Sequence, residues 1–113
     1  MANKKMMKPE IDKIIHERTR LLILSYLAAG DAKVVPFTEL KERLDLTAGN
    51  LSVQLRNLEE AGYIKINKRI VGRKPVTDIA LTAAGIQALT GYLDEMETLI
   101  NRVRNVSDMN GRG

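Results

Sequence analysis

Leu46-Thr47-Ala48-Gly49-Asn50-Leu51-Ser52-Val53-Gln54-Leu55-Arg56-Asn57-Leu58-Glu59-Glu60-Ala61-Gly62-Tyr63-Ile64 is the stretch that decides the fold. Leu51, Leu55 and Leu58 recur at i, i+4 and i+7, and Ala61 continues the stripe, so the spacing predicts an amphipathic helix over Thr47–Ala61. Thr47 stands where an N-cap belongs, and Gly62 stops the helix. At about 100° per residue, the face opposite the leucines carries Gly49, Ser52, Val53 and Arg56, flanked by Asn50 and Asn57. That face is small at its start and polar further on.

Upstream, Leu40, Leu44 and Leu46 give a second, shorter helix an inward face, with Glu39, Lys41, Glu42 and Arg43 solvated. Thr38 or a neighbour caps it, and Asp45-Leu46 is the turn into Thr47. Val34-Val35-Pro36-Phe37 reads as a brief extended connector. Before it, Pro9 and Glu10 open a helical pattern through Ile11, Ile14, Ile15, Leu21, Leu22, Leu24, Tyr26, Leu27 and Ala28. The charged cluster His16–Arg20 interrupts that pattern, which fits one bent helix or two in succession. Ala28-Ala29-Gly30-Asp31 ends it, with Gly30 expected as a left-handed C-cap. Residues 1–9 form a basic tail holding Lys4, Lys5 and Lys8, expected to be flexible.

Downstream the period changes from helical to alternating. Tyr63–Lys68 and Val76–Leu81 alternate around Val71-Gly72-Arg73-Lys74-Pro75, which predicts a β-hairpin spanning Tyr63–Leu81. Between Gly62 and Thr77 lie Lys65, Lys68, Arg69, Arg73 and Lys74 and no acid. Like charges across paired strands repel, so a purely structural hairpin gains nothing from such a cluster. Beside a phosphate backbone the same cluster gains affinity by releasing counterions. Thr82 then caps a last helix, residues 83–106, and residues 107–113 are a polar tail, also expected to be flexible.

Composition narrows the classes. The chain has 113 residues, 44% hydrophobic and only 4% aromatic, so it is expected to be one domain with an aliphatic core. The formal net charge of +4 favours a polyanionic partner. Cysteine is absent and His16 is the single histidine, so no disulfide framework or thiolate metal site is expected. His16 reads as a surface or capping residue. Asp94, Glu95 and Glu97 read as a solvated face, and the methionines as packing. No phosphate-binding glycine loop, nucleophile elbow or metalloprotease motif is present, so neither enzyme activity nor a cofactor or metal is expected. No apolar run reaches the roughly 20 residues of a membrane span, and no signal peptide is apparent; the expected location is the cytoplasm.

A short helix, a turn and a second helix with one apolar face make a helix-turn-helix pattern. Its second helix suits a major groove: Arg56 matches guanine or a phosphate, Asn50 and Asn57 match adenine, and Val53 matches a thymine methyl. The amides of Thr47–Gly49 suit a phosphate. Gly72-Arg73-Lys74 forms a narrow cationic tip for a minor groove or its backbone.

Taken with Arg20-Leu21-Leu22-Ile23-Leu24, Phe37–Leu44 and Leu81-Thr82-Ala83-Ala84-Gly85, the chain resembles a small single-domain winged helix-turn-helix transcriptional regulator of the MarR and ArsR types over roughly residues 10–105. The resemblance implies an α+β, mainly α fold with a winged helix-turn-helix over residues 10–82, followed by a C-terminal helix over residues 83–106 that its own spacing marks for dimerisation. It implies groove-facing roles for Ala48, Gly49, Asn50, Ser52, Val53 and Arg56, and wing roles for Arg69, Arg73 and Lys74. Without cysteine, the chain has no ligand set for the metal sensing of many ArsR-type proteins. It is also shorter than typical MarR-type chains, which hold a ligand between the DNA-binding lobe and a larger helical dimer domain.

Ile86, Leu89, Leu93, Met96, Ile100 and Val103 form a heptad seam on the last helix, with Leu99 its one widening. A second copy is the expected partner, aided by Ile11, Ile14 and Ile15. The reading is therefore a homodimeric repressor on an inverted-repeat operator, with half-sites about 10 bp apart or a little more. Two alternatives remain: a module binding an acidic polypeptide, and a single-strand or RNA binder, which the shortage of aromatics for stacking disfavours.

Overall fold

The computed structural model describes residues 11–30 and 34–111. The expected tail at residues 1–9, the helix opening at Pro9-Glu10, Asp31 and the last two residues lie outside them. Four helices and three strands are described, in the order α1 (Arg18–Ala29), β1 (Val34–Pro36), α2 (Phe37–Arg43), α3 (Ala48–Glu60), β2 (Ile64–Val71), β3 (Lys74–Leu81) and α4 (Ala83–Gly111). This is the α+β, mainly α arrangement the sequence predicts.

Residues 11–17 are a pair of turns rather than a helix. The Asp12 carboxylate accepts from the amides of Ile14 (2.8 Å) and Ile15 (3.1 Å). Glu17 then caps α1 by accepting from Thr19 N–H (2.8 Å) and Arg20 N–H (3.1 Å). Burial works against the Glu17 charge, but these amide bonds hold its carboxyl below the ordinary value. The two acids thus divide what the apolar spacing alone could join.

Gly30 is no left-handed cap: at φ −79°, ψ 150° it leaves α1 directly in extended conformation. Val34–Pro36 is more than a connector. It pairs antiparallel with β3 through Val34↔Ala80, Val35↔Ile79 and Pro36↔Asp78, giving a three-stranded sheet of order β1-β3-β2. Pro36 is tolerated because an edge strand has a free side. The cap expected at Thr38 is absent; α2 starts at Phe37 after Pro36, without a side-chain cap. Asp45 makes the turn to α3 at φ 52°, a left-handed position that Asp tolerates.

The predicted stripe holds throughout α3: Leu51, Leu55 and Leu58 are all buried. At its C-terminus, Tyr63 N–H reaches Leu58 C=O (3.0 Å) and Gly62 N–H reaches Glu59 C=O (2.9 Å), with Gly62 at φ 82°. This is a Schellman motif, and it aims the chain into β2. The hairpin loop is tighter than expected. Val71 pairs with Lys74 across a two-residue turn, Gly72 (φ 52°) and Arg73 (φ 71°), the primed turn that matches strand twist. Pro75 falls inside β3, beyond the stretch that β1 covers, where no ladder bond is lost.

The core joins every element. Ile15, Ile23, Leu24, Leu27, Val35, Leu40, Leu51, Leu55, Leu58, Ile64, Ile79, Leu89 and Tyr92 are buried, so it is aliphatic apart from one tyrosine. The Tyr92 hydroxyl sits 3.0 Å from His16 Nδ1, which fixes the exposed histidine as a surface partner of α4. Thr82 caps α4 as expected, accepting from Gly85 N–H at 3.0 Å. The helix runs on to Gly111, past the end expected near Val106. From Ile100 to Ser107 every side chain is exposed, so this last part projects from the domain.

Candidate nucleic-acid interface

Capping and packing together set the attitude of α3. Its leucine face is held in the core, and Thr47 Oγ1 accepts from Asn50 N–H at 3.1 Å, fixing the first turn. Thr47, Ala48, Gly49, Asn50, Ser52, Val53 and Arg56 are exposed, with Val53 53% exposed, whereas Asn57 is half-buried. An exposed valine on a helix of this small domain is open apolar surface among polar neighbours.

The wing residues Lys65, Lys68, Arg69, Arg73 and Lys74 are exposed, but they do not form one surface. Strand alternation turns Ile64, Ile66 and Lys68 toward α3, and Lys65, Asn67 and Arg69 to the other face. Lys68 therefore shares a groove of about 380 Å³ with Phe37, Ser52, Arg56, Glu59, Ile66 and Thr77. Arg73 occupies the turn and Lys74 begins β3, at the tip.

Arg69 departs from the sequence reading. Asp78, just past the acid-free stretch, is only 7% exposed, and Arg69 Nε donates to its Oδ2 at 2.5 Å. The other Asp78 oxygen has no hydrogen-bond partner. Arg69 thus compensates a buried carboxylate through Nε while its own side chain stays 54% exposed. Asp78 was overlooked because its burial depends on the third strand. Glu59, to which the sequence reading gave no role, lines the groove with an exposed side chain.

A further set joins α1 to α3. Arg20 Nη1 donates to Gln54 Oε1 (2.9 Å), and Gln54 Nε2 donates to Asn50 Oδ1 (3.3 Å). The only sequence signal for it was the i, i+4 spacing of Asn50 and Gln54.

The seam residues of the last helix divide in two. Leu89 is buried in the chain's own core and Met96 packs against it, while Ile86 (47%), Leu93 (51%), Ile100 (46%) and Val103 (69%) stay exposed. Ile15 is fully buried, and Ile11 and Ile14 pack against the core. Ile15 and Leu89 therefore have no surface to offer a second copy. Among the described residues there is no cluster of three metal-binding side chains, and no helix is long and apolar enough to cross a membrane.

With α2 and α3 as paired helices and β2–β3 as the adjoining hairpin, the architecture is that of a winged helix-turn-helix. Residues 19–100 match the family described as winged helix DNA-binding domain, and the chain belongs to that family. It is 33% identical to an uncharacterized protein of Methanocaldococcus jannaschii over 91 residues, which cover 80% of this chain and 97% of the relative. The structure of a transcriptional regulator homologue from Pyrococcus horikoshii OT3 is 31% identical, with a TM-score of 0.76 covering 89% of this chain and 95% of that one. Overoxidized AbfR bound to DNA is similar in fold, at 18% identity and a TM-score of 0.63 covering 84% of this chain and 71% of that chain. The winged-helix regulator family implied by the sequence is the one found.

Proposed function

We propose that this chain is a homodimeric, sequence-specific regulator of transcription that binds double-stranded DNA and represses by occluding a promoter. The observation that carries the reading is the pairing of two exposed features. One is the small and polar face of α3 around Ser52, Val53 and Arg56; the other is the cationic tip at Gly72-Arg73-Lys74. A helix of that kind enters a major groove, and a two-residue cationic tip fits the adjacent minor groove or its phosphates. Arg56 is the base-reading residue, and Lys68, Arg73 and Lys74 supply backbone affinity. That AbfR was captured bound to DNA supports the use of this fold for such a complex.

The exposed row Ile86, Leu93, Ile100 and Val103 supports pairing of two copies along α4. A twofold dimer places two α3 helices on successive major grooves, so the operator is an inverted repeat with half-sites about 10 bp apart.

Gel-shift titration against the promoter of the chain's own gene, repeated across a salt series, tests the reading. Binding is expected to weaken steeply with salt, and the slope is expected to shrink by about two in the Arg73→Ala/Lys74→Ala variant. An unchanged slope removes the tip from the interface. Salt-insensitive or absent binding to any duplex defeats the DNA reading.

A further inference from the structure

Asn50 lies on the exposed flank of α3, yet its amide is not free to choose its orientation. The chain of bonds that holds it starts at Arg20, whose side chain is only 16% exposed. Arg20 Nε donates to the Ile14 carbonyl (2.5 Å), and its Nη1 lies 3.9 Å from the Glu17 carboxylate. With the guanidinium pinned on two sides, Nη1 donates to Gln54 Oε1 at 2.9 Å. A guanidinium has donors and no acceptor, so it dictates which end of the Gln54 amide faces it. The Gln54 nitrogen then faces Asn50 and donates to Oδ1 at 3.3 Å. Oδ1 of Asn50 is turned along the helix toward Gln54, leaving its N–H donors for whatever approaches α3.

We propose that Asn50 contacts DNA through its amide N–H donors, and that Arg20, acting through Gln54, is the positioning residue that sets this polarity. The inference rests on the DNA-binding reading above and changes what that reading says of Asn50. An unrestrained asparagine takes adenine with both ends of its amide, accepting from N6 and donating to N7. Held as it is here, Asn50 selects acceptors: purine N7, guanine O6, thymine O4 or a phosphate oxygen. The adenine 6-amino group gains less from it than from a free asparagine, because Oδ1 already accepts from Gln54 and is turned toward it.

The test uses the full chain and a duplex selected from a random pool. Purine N7 is removed by 7-deaza substitution, phosphate charge by methylphosphonate, and the adenine 6-amino group by purine. Wild type is expected to lose about three- to tenfold in affinity when one acceptor is removed, and Asn50→Ala to show no loss there. Arg20→Ala is expected to lose that acceptor dependence and to gain sensitivity to a 6-amino group. Arg20→Lys, also a pure donor, is expected to restore the wild-type pattern. In the DNA-free protein, the side-chain amide resonances of Gln54 and Asn50 are expected to move in Arg20→Ala and less in Arg20→Lys.

An Asn50-dependent 6-amino contact in wild type overturns the proposal. So does an Arg20→Ala variant whose amide resonances and base preferences match wild type. If no duplex is selected at all, the DNA reading falls and takes the inference with it. The resonances alone would then report whether the relay exists as structure.

Discussion

A β-carbon added to Gly85 would overlap the backbone carbonyl of Tyr63 and press on Leu81 Cδ1. The same Tyr63 oxygen accepts from Thr82 N–H at 3.1 Å, and Thr82 Oγ1 donates to Gly62 C=O at 2.7 Å. The Leu81-Thr82-Ala83-Ala84-Gly85 run therefore welds the start of α4 to the end of α3. Gly85→Ala is predicted to destabilise the fold by about 2–4 kcal/mol, because the clash is with backbone and cannot be relieved by a rotamer change. Gly91, elsewhere on α4, has open space around it; Gly91→Ala is predicted to stabilise by about 0.5–1 kcal/mol. Urea denaturation of both variants checks the pair, and equal effects would remove the steric account of Gly85.

That weld shows which parts of the fold were legible in the sequence. Helix α3 and the hairpin announced themselves through strong periods, a Thr cap and Gly62, all local signals. Strand β1 did not, since three residues carry no period and Val35 is a strand residue only because Ile79 pairs with it. The burial of Asp78 and its bond to Arg69 follow from that unseen pairing. For α4 the heptad spacing was real but one-dimensional: it could not tell that Leu89 faces the chain's own core while Leu93 faces outward. The relay from Arg20 to Asn50 was the least legible, because Arg20 and Gln54 lie far apart in sequence and meet only after α1 packs on α3.

Tyr63 makes alkaline stability a test of the N-terminal turns. Its phenol donates to the Asp12 carboxylate at 2.5 Å, and this bond, with burial and the Asp12 charge adding to it, pushes the phenol up to about 12 from an ordinary 10.0. The folded chain thus holds the proton more tightly than the unfolded chain does. The contribution is complete below about pH 10 and is lost as pH rises toward about 12. Wild type is predicted to lose more stability between about pH 9 and pH 11 than Tyr63→Phe, measured by urea midpoints. Some decline persists in the variant, because the Tyr26 phenol is also raised by its bond to Glu39. Parallel declines in the two proteins would rule out the Tyr63–Asp12 bond as the cause.

The projecting part of α4 allows the proposed dimer to be tested without touching the core. Ile100 and Val103 are 46% and 69% exposed and belong to the outward row with Ile86 and Leu93. Ile100→Lys/Val103→Lys is predicted to keep the helical circular dichroism of wild type and to sediment as a monomer. It should also lose about a hundredfold in affinity for an inverted repeat, since each half-site is then bound alone. A wild-type chain that is already monomeric at micromolar concentration would end the claim.

Arg69 and Arg73 belong to the same hairpin and are predicted to respond in opposite directions. Arg69 Nε is bonded to an Asp78 carboxylate that is 7% exposed and whose second oxygen has no partner. Arg69→Met strands that carboxylate and is predicted to cost roughly 1–3 kcal/mol of stability, with little change in the salt dependence of DNA binding. Arg73 instead sits at φ 71°, where a β-carbon is crowded. Arg73→Gly removes that crowding and is predicted to raise stability by about 1 kcal/mol while weakening DNA binding and lowering the salt slope by about one. Denaturation and salt-series binding on the two variants test whether one arginine serves the sheet and the other, at a conformational cost, the proposed DNA contact. If Arg73→Gly binds DNA as wild type does, the left-handed arginine has some use other than the one proposed.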